Sequence, residues 1–209
     1  MTKIPNDHLP PGAIPIVSAI FEKHEIEIKV VKSRSTKFAD FISPRKKNTL
    51  PKITINNNLN QFSFLITLLH EFAHYLVWRE GRFYAKPHGR TWKIHFKLLM
   101  EKFIDEGIFP VDLLPQLIEH FQNPRATSCS DTKLFRLLAE YDSDSAGIFI
   151  HDLPDGTYFQ TPDGKMFKRE SRVRKRILCV NQSNRKKYLF SPIYKVFPVK
   201  GQQYMIAFP

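Results

Sequence analysis

The chain has 209 residues and a formal charge of +12, with 42% hydrophobic residues and 18 Phe. That length suits one large domain or two small ones, and the apolar content excludes global disorder. Two cysteines can form neither a disulfide framework nor a four-cysteine zinc ribbon.

The start, Met-Thr-Lys-Ile-Pro-Asn-Asp-His, lacks a charged stretch followed by an apolar one, so no secretory leader is expected. Leu9-Pro10-Pro11-Gly12 reads as a loop entering a helix at about 13–24. Ile26, Ile28 and Val30 alternate with charged residues as in a strand, a second strand is expected at Phe38–Ile42, and Ile53 and Ile55 mark a third. Asn60 is placed to cap a helix through Val77 whose apolar residues cover nearly its whole circumference, the mark of a central buried helix, with Gly81 as its stop. His70, Glu71 and His74 interrupt that stretch, which speaks against a membrane span. Further helices are expected at 91–105, 112–121 and 131–141, the last capped by Ser130 or Asp131. After Tyr141 short strand-like runs at 147–150, 157–159, 176–180, 188–190 and 194–199 alternate with turn sequences such as Pro154-Asp155-Gly156. The expectation is an α+β domain at 1–142 and a small antiparallel β module at 143–209, in a soluble, cytoplasmic protein of a reducing compartment.

The charge is unevenly distributed. Residues 1–164 carry a net +1, whereas residues 165–209 hold 12 basic side chains and a single acidic one, Glu170. Lys165, Lys168, Arg169, Arg172, Arg174, Lys175 and Arg176 form one cluster, and Arg185, Lys186 and Lys187 a second. If Arg172, Arg174 and Arg176 share a strand, three guanidinium groups face one way, and Phe167, Tyr188, Phe190 and Tyr194 are available to stack on bases. Contact with a nucleic-acid backbone such as DNA is the functional expectation; a solvated face or a dock for an acidic protein is the alternative.

The chemistry lies at residues 70–74, His-Glu-Phe-Ala-His. A spacing of four sets both imidazoles on one helix face, within reach of one metal ion. Glu71 lies one step round the helix, placed to take a proton from a water that Zn²⁺ has made acidic. Buried and unpaired, these groups would each cost several kcal/mol, roughly. A hydrolytic zinc site needs a third protein ligand, and there are three candidates. Glu80 lies where the metzincin pattern has a third histidine, but Val77 replaces the glycine that pattern needs. His95 sits inside the next helix, while His88, in Pro87-His88-Gly89, lies on a loop able to fold back and is the preferred ligand.

His-Glu-Phe-Ala-His, the downstream His88-Gly89 and Trp92, and the preceding Ile53-Thr-Ile-Asn-Asn…Phe64-Leu-Ile-Thr-Leu-Leu resemble the SprT-like (Spartan-type) metalloprotease family over about residues 13–105. The resemblance implies a zincin-like fold with a small antiparallel sheet beside the His-Glu-x-x-His helix, one catalytic Zn²⁺ on His70, His74 and His88, and Glu71 as general base. It also implies hydrolysis of peptide bonds in proteins near DNA. Many members end in a cysteine-rich zinc ribbon, which this chain lacks. Tyr84, His95 and Arg90 are candidates to stabilise an oxyanion. The alternative is a non-enzymatic or regulatory nucleic-acid-associated protein with a structural or degenerate zinc site.

Overall fold

The structure, a computed structural model, describes residues 3–34, 37–44, 46, 48–122, 131–142 and 147–199. Cys129 and Ser130 lie outside the described residues. The chain divides into two compact units, Met1–Ser143 and Asp144–Pro209, a mixed α+β arrangement.

In the first unit, α1 (Ile14–Phe21) follows a 3-10 turn at Pro11–Ala13. Three strands come next: β1 (Glu27–Val31), β2 (Ala39–Ile42) and β3 (Lys52–Asn56). The sheet order is β1-β3-β2. The expected antiparallel sheet is instead mixed, because β1 runs parallel to β3 and β2 antiparallel to it. Burial explains the order: Ile53, Thr54, Ile55 and Asn56 are all buried, so β3 takes the centre. Period-two patterning identifies a strand but says nothing of its neighbours. Asn56 donates to the carbonyls of Arg34 and Lys37 and accepts from the Arg34 guanidinium at 2.9 Å, which ties the β1–β2 connection to β3.

The central helix α2 (Gln61–Arg79) packs on α3 (Arg90–Asp105) and on β2 and β3. Asn60 caps it by accepting from the Ser63 amide at 2.9 Å. The same side chain donates to the Leu138 carbonyl and to Asp142, fastening the start of α2 to the end of α5 (Thr132–Ala139) and the residues just after it. Between α3 and α5 runs α4 (Leu114–Gln122). Phe64, Leu65, Leu68, Leu69 and Phe72 of α2 join Phe21, Ile53, Ile55, Phe96, Met100 and Phe103 in one core. Two histidines and a glutamate within such a helix therefore stand against the wall of a packed core.

The second unit is a six-stranded antiparallel sheet of order β4-β9-β5-β6-β7-β8. Its strands are β4 (Ile148–Phe149), β5 (Tyr158–Gln160), β6 (Met166–Val173), β7 (Arg176–Asn181), β8 (Lys187–Phe190) and β9 (Lys195–Pro198). A small core of Ile150, Leu153, Phe159, Phe167, Ile177, Cys179 and Val196 holds it. Burial pushes the Cys179 thiol up to about 12, so this cysteine is a small apolar core residue and not a nucleophile. Among the described residues no helix is long and apolar enough to cross a membrane.

Candidate metal centre and basic surfaces

His70 and His74 lie one turn apart on α2, and the loop after that helix brings back His88. The Nε2 atoms of His70 and His74 stand 3.1 and 3.0 Å from Nε2 of His88. Ligands about 2.0–2.1 Å from a tetrahedral zinc would lie roughly 3.3 Å apart, so the donor atoms are already gathered at nearly that spacing. One imidazole nitrogen has a single in-plane lone pair or a single N–H and cannot satisfy two partners. A cation among the three satisfies them all. The set could hold a metal ion, with its ligand atoms all within 4.8 Å of one another.

Local backbone features place the third histidine. His88 adopts φ +58°, a left-handed conformation that histidine enters more readily than most residues. The Gly89 amide closes a turn onto the Lys86 carbonyl at 2.9 Å. A Cβ on Gly89 would come within 2.8 Å of that carbonyl oxygen, so the turn requires glycine there. Trp92, buried on the first turn of α3, forms the wall of the cluster. Its ring centroid lies 4.6, 5.4 and 4.7 Å from those of His70, His74 and His88, and its Nε1 donates to the His70 carbonyl at 3.3 Å.

Burial keeps all three imidazoles neutral and therefore able to ligate. It lowers His70 to about 2, helped by the neighbouring His74 and His88, and His74 to about 4, and it also lowers His88. Burial raises Glu71 to about 7, although a hydrogen bond from the backbone N–H of Phe41 partly offsets the rise. Strand β2 lies at the sheet edge, so this carboxylate sits where α2 meets that edge.

The other third-ligand candidates are bonded to each other. His95 Nε2 lies 2.8 Å from Glu80 Oε1, and Glu80 also pairs with Arg82. Of the oxyanion candidates, Tyr84 is fully exposed and Arg90 is exposed at the start of α3. Two features went unread in the sequence. His120, buried on α4, bonds through Nδ1 to Asp131, the cap of α5, at 3.1 Å. Lys86, Arg90, Lys93 and Lys97 line a cavity of about 480 Å³ beside His88. The spacing of Arg90, Lys93 and Lys97 on one helix face was the available signal.

The basic residues of the second unit do not form one stripe. Arg172 is the penultimate residue of β6, Arg174 sits at φ +54° in the two-residue turn, and Arg176 opens β7. The three guanidinium groups thus cluster around a hairpin tip rather than along one strand. Arg185, Lys186 and Lys187 lie at the other end of β7, roughly 17 Å away at 3.3 Å per residue. Lys168 and Lys187 flank Val180 in one cross-strand row, near that second end, and Lys168 pairs with Glu170 at 3.4 Å. Arg169 is 8% exposed; its Nε donates to the Ile150 carbonyl at 3.1 Å and its guanidinium pairs with Asp155. Arg169 is therefore an internal fastener and is not available to a ligand. Among the aromatics, Phe167 belongs to the core, whereas Tyr188 and Tyr194 are 40% and 38% exposed.

Comparison with protein-family models, with curated proteins and with solved structures found no match to this chain.

Proposed function

We propose that the first unit is a zinc-dependent peptidase of SprT-like, zincin-like type, with His70, His74 and His88 holding the metal and Glu71 acting as general base. The observation that carries the reading is the convergence of three neutral Nε2 atoms, with Glu71, the residue after His70, having its carboxyl raised to about 7 by burial. Zn²⁺ held there would act as a Lewis acid toward a peptide carbonyl and make water acidic enough to react at neutral pH. Glu71, poised near neutrality, takes up a proton at its carboxylate and returns it to the departing amine. The Phe41 amide orients that carboxylate, and Trp92 closes one wall of the site with apolar surface. The edge position of β2 leaves backbone groups for an extended substrate to pair with. A structural metal centre would have no use for the raised carboxylate of Glu71.

For the second unit the reading is DNA contact through Arg174, Lys175 and Arg176 at one hairpin end and Arg185, Lys186 and Lys187 at the other. All six are exposed. Such contacts follow the phosphate backbone and do not read bases. The test is cleavage of a DNA-binding protein by wild type and Glu71→Gln, each with and without DNA. Wild type should yield fragments and Glu71→Gln none; no cleavage by wild type under either condition would overturn the reading.

A further inference from the structure

The cavity beside His88 has a composition that the metal centre does not require. Lys86 lies on the loop before it, and Arg90, Lys93 and Lys97 follow at helical spacing along α3. Ile94 and the buried Phe121 supply apolar surface, Gln122 adds a polar group, and among the described residues no acidic side chain lines the cavity. The neighbouring Lys97–Glu101 pair is 3.6 Å long and about half exposed at both ends, so it neutralises little of the charge. His88 borders the cavity while its Nε2 joins the triad. Whatever fills the cavity is therefore next to the proposed reacting centre.

The geometry points to a specificity pocket for acidic side chains of the peptide substrate, held by Lys86, Arg90 and Lys97. The inference rests on the peptidase reading and names its substrate class. A volume of about 480 Å³ is within the range of small-ligand pockets. Its mixed lining suits a side chain with an aliphatic stem and an anionic head, the stem on Phe121 and Ile94 and the carboxylate among the cations. An acidic chain is favoured over a nucleic acid because the site is a concavity with apolar surface beside a peptide-cleaving centre, whereas phosphate contacts track an open basic surface.

Binding tests this without catalysis. Fluorescein-labelled peptides of one sequence, carrying either three Glu or three Gln, are titrated by anisotropy into full-length Glu71→Gln protein. The Glu peptide should bind about tenfold more tightly at low salt, and the preference should shrink as salt is added. Arg90→Ala/Lys97→Ala should abolish the preference, while Arg174→Ala/Lys187→Ala in the second unit should leave it intact. Both substitutions of the first pair fall at exposed helix positions, and circular dichroism checks that the fold is kept. Equal binding of the two peptides, or a preference that survives Arg90→Ala/Lys97→Ala, overturns the inference. So does a thymidine oligonucleotide whose binding is lost in that variant while the peptide preference is not. Absence of cleavage by wild type defeats the peptidase reading alone, because acid-selective binding is measured independently.

Discussion

Nε2 of His74 lies 3.0 Å from Nε2 of His88, although fourteen positions separate them in the chain. Two neutral imidazole nitrogens at that distance, with a third 3.1 Å from one of them, make an arrangement that a shared cation completes. The left-handed His88 and the close approach at Gly89 shape the loop that returns His88 to the other two histidines.

Trp92 supports the cluster from behind, and its loss should be felt as stability. Trp92→Ala removes a 2%-exposed side chain and should cost about 3–5 kcal/mol by urea unfolding. Trp92→Phe keeps most of the wall and loses the bond to the His70 carbonyl, for about 1 kcal/mol beyond the change in shape. Equal stability of Trp92→Ala and wild type would contradict this packing.

In metal-free protein the histidines and Glu71 act oppositely with pH. The histidines are held below their ordinary 6.5, so the unfolded chain binds more protons below that pH and stability falls as the pH drops under about 6.5. Glu71 is raised from 4.5 to about 7, so its contribution is present at low pH and is lost as the pH rises from 4.5 through 7. Several histidines outweigh one carboxyl, giving metal-free wild type a rise in Tm from pH 4.5 to about 6.5 and then a slight decline. Glu71→Gln should rise more steeply and show no decline. Identical profiles for the two proteins would contradict the placement of Glu71.

Arg169 and its basic neighbours should separate cleanly. Arg169→Met leaves the Ile150 carbonyl without its donor and should destabilise the second unit by about 1–3 kcal/mol. Arg174→Ala and Lys187→Ala change exposed side chains and should shift stability by no more than about 0.5 kcal/mol; under the proposed DNA contact, each should also lower the salt dependence of that binding. Unchanged stability in Arg169→Met would show that the buried contacts matter little.

These residues also show what could be read from the sequence. The helix of residues 61–79, its Asn60 cap and the two histidines one turn apart follow from apolar periodicity and spacing alone. Strand β6 did not stand out, because Lys168-Arg169-Glu170-Ser171-Arg172 has no apolar alternation; its inward position at 169 is filled by an arginine whose partners, Ile150 and Asp155, are distant in the chain. The central place of β3 follows from its being the most buried strand, a tertiary fact, and the parallel pairing of β1 with it is not encoded in either strand's own pattern. Glu80 and His95 are also candidates in the sequence; in the structure they bond to each other, while the Nε2 of His88 lies 3.1 and 3.0 Å from those of His70 and His74.

Metal stoichiometry of the purified protein tests the three-histidine centre most directly. Wild type and Glu71→Gln should each carry about one equivalent of zinc, and His88→Ala should lose most of it. Less than about half an equivalent in wild type, or unchanged metal content in His88→Ala, would contradict the account.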